Sequence, residues 1–330
     1  MIEDDKAEAA EAAAGNLVAR LPGQKPGWVM FSGHLDTVPE EGRIEVELAD
    51  GVFRSKGETI LGADNKAAVA VLLELCARHA AEPPPVGIEL LLSVAEEDGL
   101  RGAKAFDVSS LRANAGYVLD HATPIGELIV AAPTYKRLNA SFSGTEAHSG
   151  INPEDGHSAI EAAAAAIEQM KLGRLDEETT ANVGLIDGGT ASNVVAGQCR
   201  IQAEARSIDG ERAAETIGAM VDACTWAAGA HHCDVDIEVK EMFRGYRMAE
   251  DSPAVEVAAQ ALERCGHEPK RVATGGGSDA NALLAAGFEC VLLANGTEAN
   301  HTPEESVPAA NLTAMLEVCE AIVEEAGRRC

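Results

Sequence analysis

Aromatic residues are scarce in this sequence: Phe, Trp and Tyr together make up 3% of 330 residues, so a core must be built mainly from Ala, Val, Leu and Ile. Positive charge is scarce too. Lys and Arg number 26 against 54 Asp and Glu, a formal net charge of −28. That balance argues against nucleic acid and anionic membranes as partners, because phosphate contacts need clustered Lys and Arg. It fits a protein that holds cations. Long apolar runs are missing: the least polar stretch, residues 280–297, is interrupted by Asn281, Glu289 and Asn295, so no membrane span is expected. The N-terminal Met1-Ile2-Glu3-Asp4-Asp5 lacks the basic and apolar regions of a secretory signal. The eight cysteines include no C-x-x-C pair, and most fall in apolar periodic segments, as expected of reduced core residues in a cytoplasmic protein. His231-His232-Cys233 reads as the exposed start of a strand rather than as a chelating group.

What is present has the size of about two domains. An Ala/Glu-rich acidic run occupies the first 26 residues. Residues 28–31 read as a short buried strand, 44–48 as a half-exposed one, 65–81 as a helix rich in helix formers, and 86–94, 116–119 and 126–132 as further strands. The grammar then changes. Residues 137–143 alternate like a strand, 153–170 read as a helix, 182–186 and 198–207 as strands, 209–230 as a helix and 234–239 as a strand, the β-α-β-β-α-β order of a split βαβ unit. Alternation of helix and strand resumes with helices 252–265 and 279–286, strand 290–293 and helix 309–326. The expected architecture is an α/β catalytic domain, residues 1–133 and 245–330, with a mixed sheet flanked by helices. A smaller α+β domain, residues 134–244, interrupts it.

Open α/β sheets place their sites beyond the carboxyl ends of strands, and His and carboxylates hold borderline cations. His34 and Asp36 follow the first buried strand. Asp64 stands in a Gly-containing loop before the long helix, Glu96 and Glu97 follow 86–94, Asp120 follows 116–119, and His301 lies in the loop after 290–293. The set has the arithmetic of a two-metal site: Asp64 bridging, His34 and Asp120 on one ion, Glu97 and His301 on the other. Glu96 is then left over as a general base, and Asp36 is placed to accept the second imidazole N–H of His34. Gly275-Gly276-Gly277-Ser278-Asp279 precedes a helix but lacks the G-K-[ST] ending of a phosphate loop; Ser278 reads as a helix N-cap.

The segments Gly33-His34-Leu35-Asp36-Thr37-Val38-Pro39, Leu61-Gly62-Ala63-Asp64-Asn65-Lys66, Ala95-Glu96-Glu97 and His301-Thr302-Pro303-x-Glu305 resemble the dizinc amidohydrolase family. That family includes peptidase T, glutamate carboxypeptidase, acetylornithine deacetylase and succinyl-diaminopimelate desuccinylase. Residues 147–154 and Gly188-Gly189-x-x-x-Asn193-Val194-Val195 look most like its peptidase T-like branch. The resemblance implies the same five ligands and the same base. It also implies a lid and dimerisation role for residues 134–244, with His148 reaching the scissile carbonyl of a neighbouring subunit. Asn193 and Arg206 would bind the substrate backbone or carboxylate, Gly276 and Gly277 would line the pocket, and a cis peptide would follow Asp64. Against the family pattern, the chain reads as starting at the second strand of the catalytic domain.

The function expected is hydrolysis of an amide bond in short peptides by a metal-bound hydroxide, with two zinc ions (cobalt or manganese as substitutes) and a homodimer paired through the insert. The alternatives are an N-acyl amino acid deacylase with the same chemistry and a non-catalytic metal-holding protein.

Overall fold

The computed structural model describes residues 1–329; Cys330, and the expectation of a core thiol there, lie outside the described residues. The chain opens with strands β1 (Ile2–Glu3), β2 (Leu17–Leu21) and β3 (Trp28–His34). The hairpin β4 (Val46–Ala49) and β5 (Val52–Ser55) follows, then helix α1 (Ala63–Arg78), β6 (Gly87–Ser93), α2 (Arg101–Ala105), β7 (Ala115–His121) and β8 (Glu127–Ala132). Next come β9 (Thr134–Ser143), α3 (Ala159–Gln169), β10 (Gly173–Arg174), β11 (Thr179–Gly188), β12 (Gln198–Ser207), α4 (Gly210–Ala230) and β13 (Asp234–Phe243). The last part holds β14 (Tyr246–Arg247), α5 (Pro253–Arg264), β15 (Lys270–Ala273), α6 (Asp279–Ala285), β16 (Glu289–Ala294), β17 (Ser306–Pro308) and α7 (Ala309–Arg329).

These elements divide into two compact units. The larger contains Met1–Ala131, Arg247–Thr274 and the residues from Ser278 onward. Its sheet runs in the order β1-β2-β6-β3-β7-β16-β8-β14, with β15 also on β8. Pairing is parallel at β6/β3/β7/β16 and antiparallel at β2/β6 and β16/β8, so the sheet is mixed, the fold class expected. The central strands are apolar almost throughout because both faces are covered. Val71, Leu72 and Leu75 of α1, Val255 and Leu262 of α5, and Leu316 and Ile322 of α7 close over Phe31, Leu90, Leu119 and Leu293. A separate three-stranded sheet, β17-β5-β4, lies against the start of α1 through Phe53, Leu61 and Val307.

The smaller unit, Ala132–Tyr246 with Gly275–Gly277, is one sheet in the order β10-β11-β12-β9-β13 carrying α3 and α4. Its core is rich in alanine: Ala159, Ala162, Ala163 and Ala166 of α3 and Ala227 and Ala228 of α4 are buried around Phe142 and Met220. Small side chains let helices and sheet approach closely, which is how a chain with so few aromatics still fills its interior.

Several sequence expectations need correction. The sheet does not begin at residues 28–31: β1 and β2 precede it inside the acidic run, and Asn16, just before β2, is fully buried. The helix expected over 153–170 is broken: a short 3-10 turn at Pro153–Asp155 ends in extended Gly156, and α3 starts only after Ser158, whose hydroxyl accepts from Glu161 N. Strands β5, β15 and β17 were not anticipated. Ser278 does cap α6, in a reciprocal capping box with Asn281. The seven described cysteines are free thiols, and Cys76, Cys233 and Cys265 are only partly buried. No helix among the described residues is long and apolar enough to cross a membrane.

Candidate metal centre

The larger unit brings its charged strand-end residues to one rim of the sheet. His34 is the last residue of β3, Asp120 lies near the end of β7, Glu96 and Glu97 follow β6, and His301 follows β16. Asp64 occupies the first turn of α1, where the Asp64–Asn65 peptide is cis, as the resemblance implied. His34 Nε2 lies 3.1 Å from Asp64 Oδ1 and 3.4 Å from Asp120 Oδ1. His301 Nε2 lies 3.1 Å from Asp64 Oδ2 and 3.0 Å from Glu97 Oε1. Asp64 therefore offers one oxygen to each histidine. Donor atoms gather within 4.8 Å in three groups: His34–Asp64–Asp120, Asp64–Glu97–His301 and His34–Glu96–Glu97.

Neighbouring polar groups fix these side chains. Asn65 Nδ2 donates to Asp120 Oδ1 at 2.8 Å and Asn300 Nδ2 donates to Asp64 Oδ2 at 2.9 Å. The Asp36 expectation needs amending. The nearer partner of His34 Nδ1 is the Asp36 backbone carbonyl at 3.1 Å, while the carboxylate is 3.6 Å away. That carboxylate instead accepts the backbone N–H groups of Glu96 and Glu97, at 3.0 and 3.1 Å, and so holds the turn that presents both glutamates. Ala95, which starts that turn, has a left-handed φ of 51°, as does His301 at 66°; non-glycine residues hold this conformation where surroundings impose it.

The charges are strongly perturbed. Burial works against a charged His34, which is 1% exposed, but the facing Asp120, Asp36 and Asp64 outweigh it and lift the imidazole well above its usual range. A hydrogen bond donated to Asp64, aided by the Glu97 charge, raises His301 to about 9 against the opposing effect of burial. Burial, reinforced by Asp64 and Asp279 and opposed by His34, raises Asp120 to about 7. Glu96 is 8% exposed; burial and then the Asp120 and Asp279 charges push its carboxyl well above the ordinary range. Asp64 moves the other way, because hydrogen bonds from His301 and His34 outweigh its burial.

Residues 30–325 match the model of peptidase family M20/M25/M40. The chain belongs to that family. It is 39% identical over 328 residues to the uncharacterised protein YqjE of Bacillus subtilis (strain 168), covering 99% of this chain and 88% of that one. The crystal structure of aminopeptidase PepT from Bacillus cereus ATCC 10987 superposes with a TM-score of 0.88 at 41% identity, over 98% of this chain and 88% of the other. A tripeptidase from Staphylococcus aureus subsp. aureus Mu50 gives a TM-score of 0.94 at 33% identity, over 99% and 88%.

Enzymes of family M20/M25/M40 are metal-dependent, and the residues here fit a cation. The donors are two imidazoles and several carboxylates, the set that zinc accepts, and a catalytic zinc keeps three protein ligands and an open position. Each of the two groups sharing Asp64 supplies three. Glu97 Oε1 is buried and lies 3.0 Å from His301 Nε2, an acceptor aimed into the same group of donors.

The residues expected on the smaller unit are placed differently. His148 is exposed, in a loop bridged to Val194, and its Nδ1 accepts from Gly150 N at 3.1 Å. Asn193 is exposed in the neighbouring turn, where its carbonyl accepts from Ser149 N. Arg206, on β12, is already engaged: Nε and Nη2 donate to Glu204 at 3.0 and 3.2 Å, Nη1 donates to Gly275 O at 3.2 Å, and the guanidinium lies over the Tyr135 ring, 4.3 Å from its centroid. Gly277 packs so tightly on the Phe243 ring that a Cβ would come within 2.2 Å of it.

Sequence reasoning missed Asn300, Asn65, Glu305 and Asp279 as parts of the centre. Asn300 and Asn65 adjoin His301 and Asp64 in sequence, which was the available signal. Asp279 is fully buried, bonded through one oxygen to the Ser93 hydroxyl, and raised to about 6 by burial. Nothing in the sequence places it beside Ser93.

Proposed function

We propose that the chain is a dizinc exopeptidase acting on di- and tripeptides, with residues 1–133 and 245–330 as the catalytic domain and 134–244 as a lid. The observation that carries this reading is the pair of three-donor groups sharing Asp64. His34 and Asp120 would hold one cation and Glu97 and His301 the other, with Asp64 between them. Divalent cations held there supply Lewis acidity toward the scissile carbonyl and acidify a water.

The protein's own groups do the rest. Glu96 lies beside the centre but outside both groups that share Asp64. Its raised affinity for a proton suits a group that takes one from the attacking water and hands it to the departing amine. Asp36 holds the Glu96–Glu97 turn in place by accepting its two N–H groups. In the lid, Arg206 would grip a substrate carboxylate through two parallel hydrogen bonds, with Glu204 giving way, and Asn193, Gly276 and Gly277 would line the peptide.

His148 would act on the site of a second copy, in a homodimer formed through the lid. In support, β11 is covered on its outer side by β10 only at Thr180 and Ala181, and Leu185 and Ile186 beyond are 63% and 53% exposed. An exposed edge of this kind invites pairing with another strand. The free thiols suit the cytoplasm.

The likeness to a tripeptidase over 99% of the chain favours peptides over N-acyl amino acids. Zinc-loaded protein should hydrolyse unmodified tripeptides and leave N-acetyl amino acids intact. The reverse preference would replace this reading with the deacylase.

A further inference from the structure

Asp64 stands in the first turn of α1, and that turn has no local cap. Gly62, in the capping position, is left-handed (φ 74°) and has no side chain to accept a hydrogen bond. Asp64 and Asn65 are themselves non-helical, with ψ of 99° and 29°. The backbone N–H groups at this end need acceptors from outside the helix. One side chain serves two of them. Gly62 N donates to Glu305 Oε2 at 2.7 Å and Asp64 N donates to Glu305 Oε1 at 2.8 Å, across more than 240 residues of sequence. Glu305 is 1% exposed.

Glu305 also closes the loop that carries His301. Its own N–H donates to Thr302 O at 3.1 Å. Next to it, Glu298 and Ser306 exchange both backbone hydrogen bonds, at 2.9 and 3.0 Å, which pins the neck of the loop. Within that loop Ala299 and His301 are both left-handed, at φ 52° and 66°. The Glu305 carboxylate is thus a strut between the backbone of Asp64 and the loop of His301, whose side chains meet at 3.1 Å. His34 and Asp120, by contrast, are placed by β3 and β7 of the central sheet.

From this we infer that Glu305 is a positioning residue for the cation site of Asp64, Glu97 and His301, setting its affinity without touching the ion. The inference rests on the two-cation reading above. Glutamine at this position keeps the volume and one acceptor oxygen, but its NH2 must face one of the two N–H groups, so one arm of the strut is lost. Partners of metal ligands contribute about 10- to 100-fold in metal affinity.

The test is titration of the cation-free full chain with Co2+, followed by calorimetry and by the visible absorption of bound Co2+, for wild type, E305Q, H301A and the double variant. E305Q should weaken one of two binding steps by about 10- to 100-fold and the other by clearly less, because Asp64 serves both sites but the His301 loop only one. In the H301A background, where that site is already lost, E305Q should have only the smaller effect on the remaining step. Should E305Q fail to fold, Glu305→Asp, which loses reach but keeps the carboxylate, takes its place in the same titration. Two unchanged steps, equal weakening of both, or an equal further loss in the H301A background would overturn the inference. A wild type that takes up a single Co2+ would instead end the two-cation reading, and Glu305 would then be judged by whether E305Q weakens that one step only when His301 is present.

Discussion

The donors of the metal centre and the substrate-binding residues proposed on the lid differ in how far the free protein has already assembled them. His34, Asp64, Asp120, Glu97 and His301 come from five different segments of the larger unit, yet their side chains lie within hydrogen-bonding or ion-pair distance of one another. His148 and Asn193 are exposed on loops, and Arg206 is occupied by Glu204 and Gly275. The difference teaches where each part gets its order. A sheet rim fixes side chains through the backbone ladder and the helices packed on it, so mutual repulsion among carboxylates is tolerated and a cation can relieve it. On the function proposed above, the exposed loop residues would gain further partners when substrate or another subunit arrives.

Three substitutions or conditions probe that contrast. The largest effect is expected from Glu96→Ala, which removes the proposed proton carrier from the assembled centre. Turnover should fall by about 10²- to 10⁴-fold while the number of bound cations, measured by elemental analysis, stays the same. Loss of cations together with activity would make Glu96 a ligand instead.

The second concerns pH. In the cation-free protein, His301 is raised to about 9 from its ordinary 6.5, and Asp120 to about 7 from 3.8. In both cases the folded state holds its proton longer than the unfolded state, so stability falls as pH rises across those intervals. The contribution of His301 is complete below about 6.5 and lost through about 9; that of Asp120 is lost between about 4 and 7. Asp64, shifted downward, contributes in the opposite sense only at acid pH. Thermal melts of cation-free protein should therefore show lower stability at pH 9.5 than at pH 6.5, and cation binding near pH 7 should release protons, seen as a buffer-dependent binding enthalpy. A flat profile with no proton release would mean that these groups do not titrate against the cation.

The smallest effect belongs to the smaller unit. Glu204→Gln frees the Arg206 donors, and a pair this exposed is worth about 1 kcal/mol or less, so KM for peptides with a free carboxylate should fall by up to about fivefold, with kcat unchanged. An unaltered KM would leave Arg206 a structural residue.

Much of the larger unit was legible because its signals are local. Buried parallel strands read as apolar runs, and their carboxyl ends and the loops that follow form the rim, so His34, Glu97, Asp120 and His301 were found by looking beyond each run. Strand β2 was not legible: Leu17–Leu21 contains Arg20, whose charge is neutralised by fully buried Glu89 at 2.7 Å, a pairing 69 residues apart. The break between residues 153 and 159 was hidden by the alanines that follow, although Gly156 and Ser158 marked it. The grip of Glu305 on the Asp64 turn was likewise out of reach, since it is made by folding and not by spacing.

The most direct test of the shared centre is the count of bound zinc in wild type and three variants after reconstitution and removal of free metal. Two equivalents are predicted for the wild type, one for Asp120→Ala, one for His301→Ala and none for Asp64→Ala, because Asp64 offers one carboxylate oxygen to each histidine. Two equivalents retained in Asp64→Ala, or a wild type that binds fewer than two, would contradict a cation pair built around that aspartate.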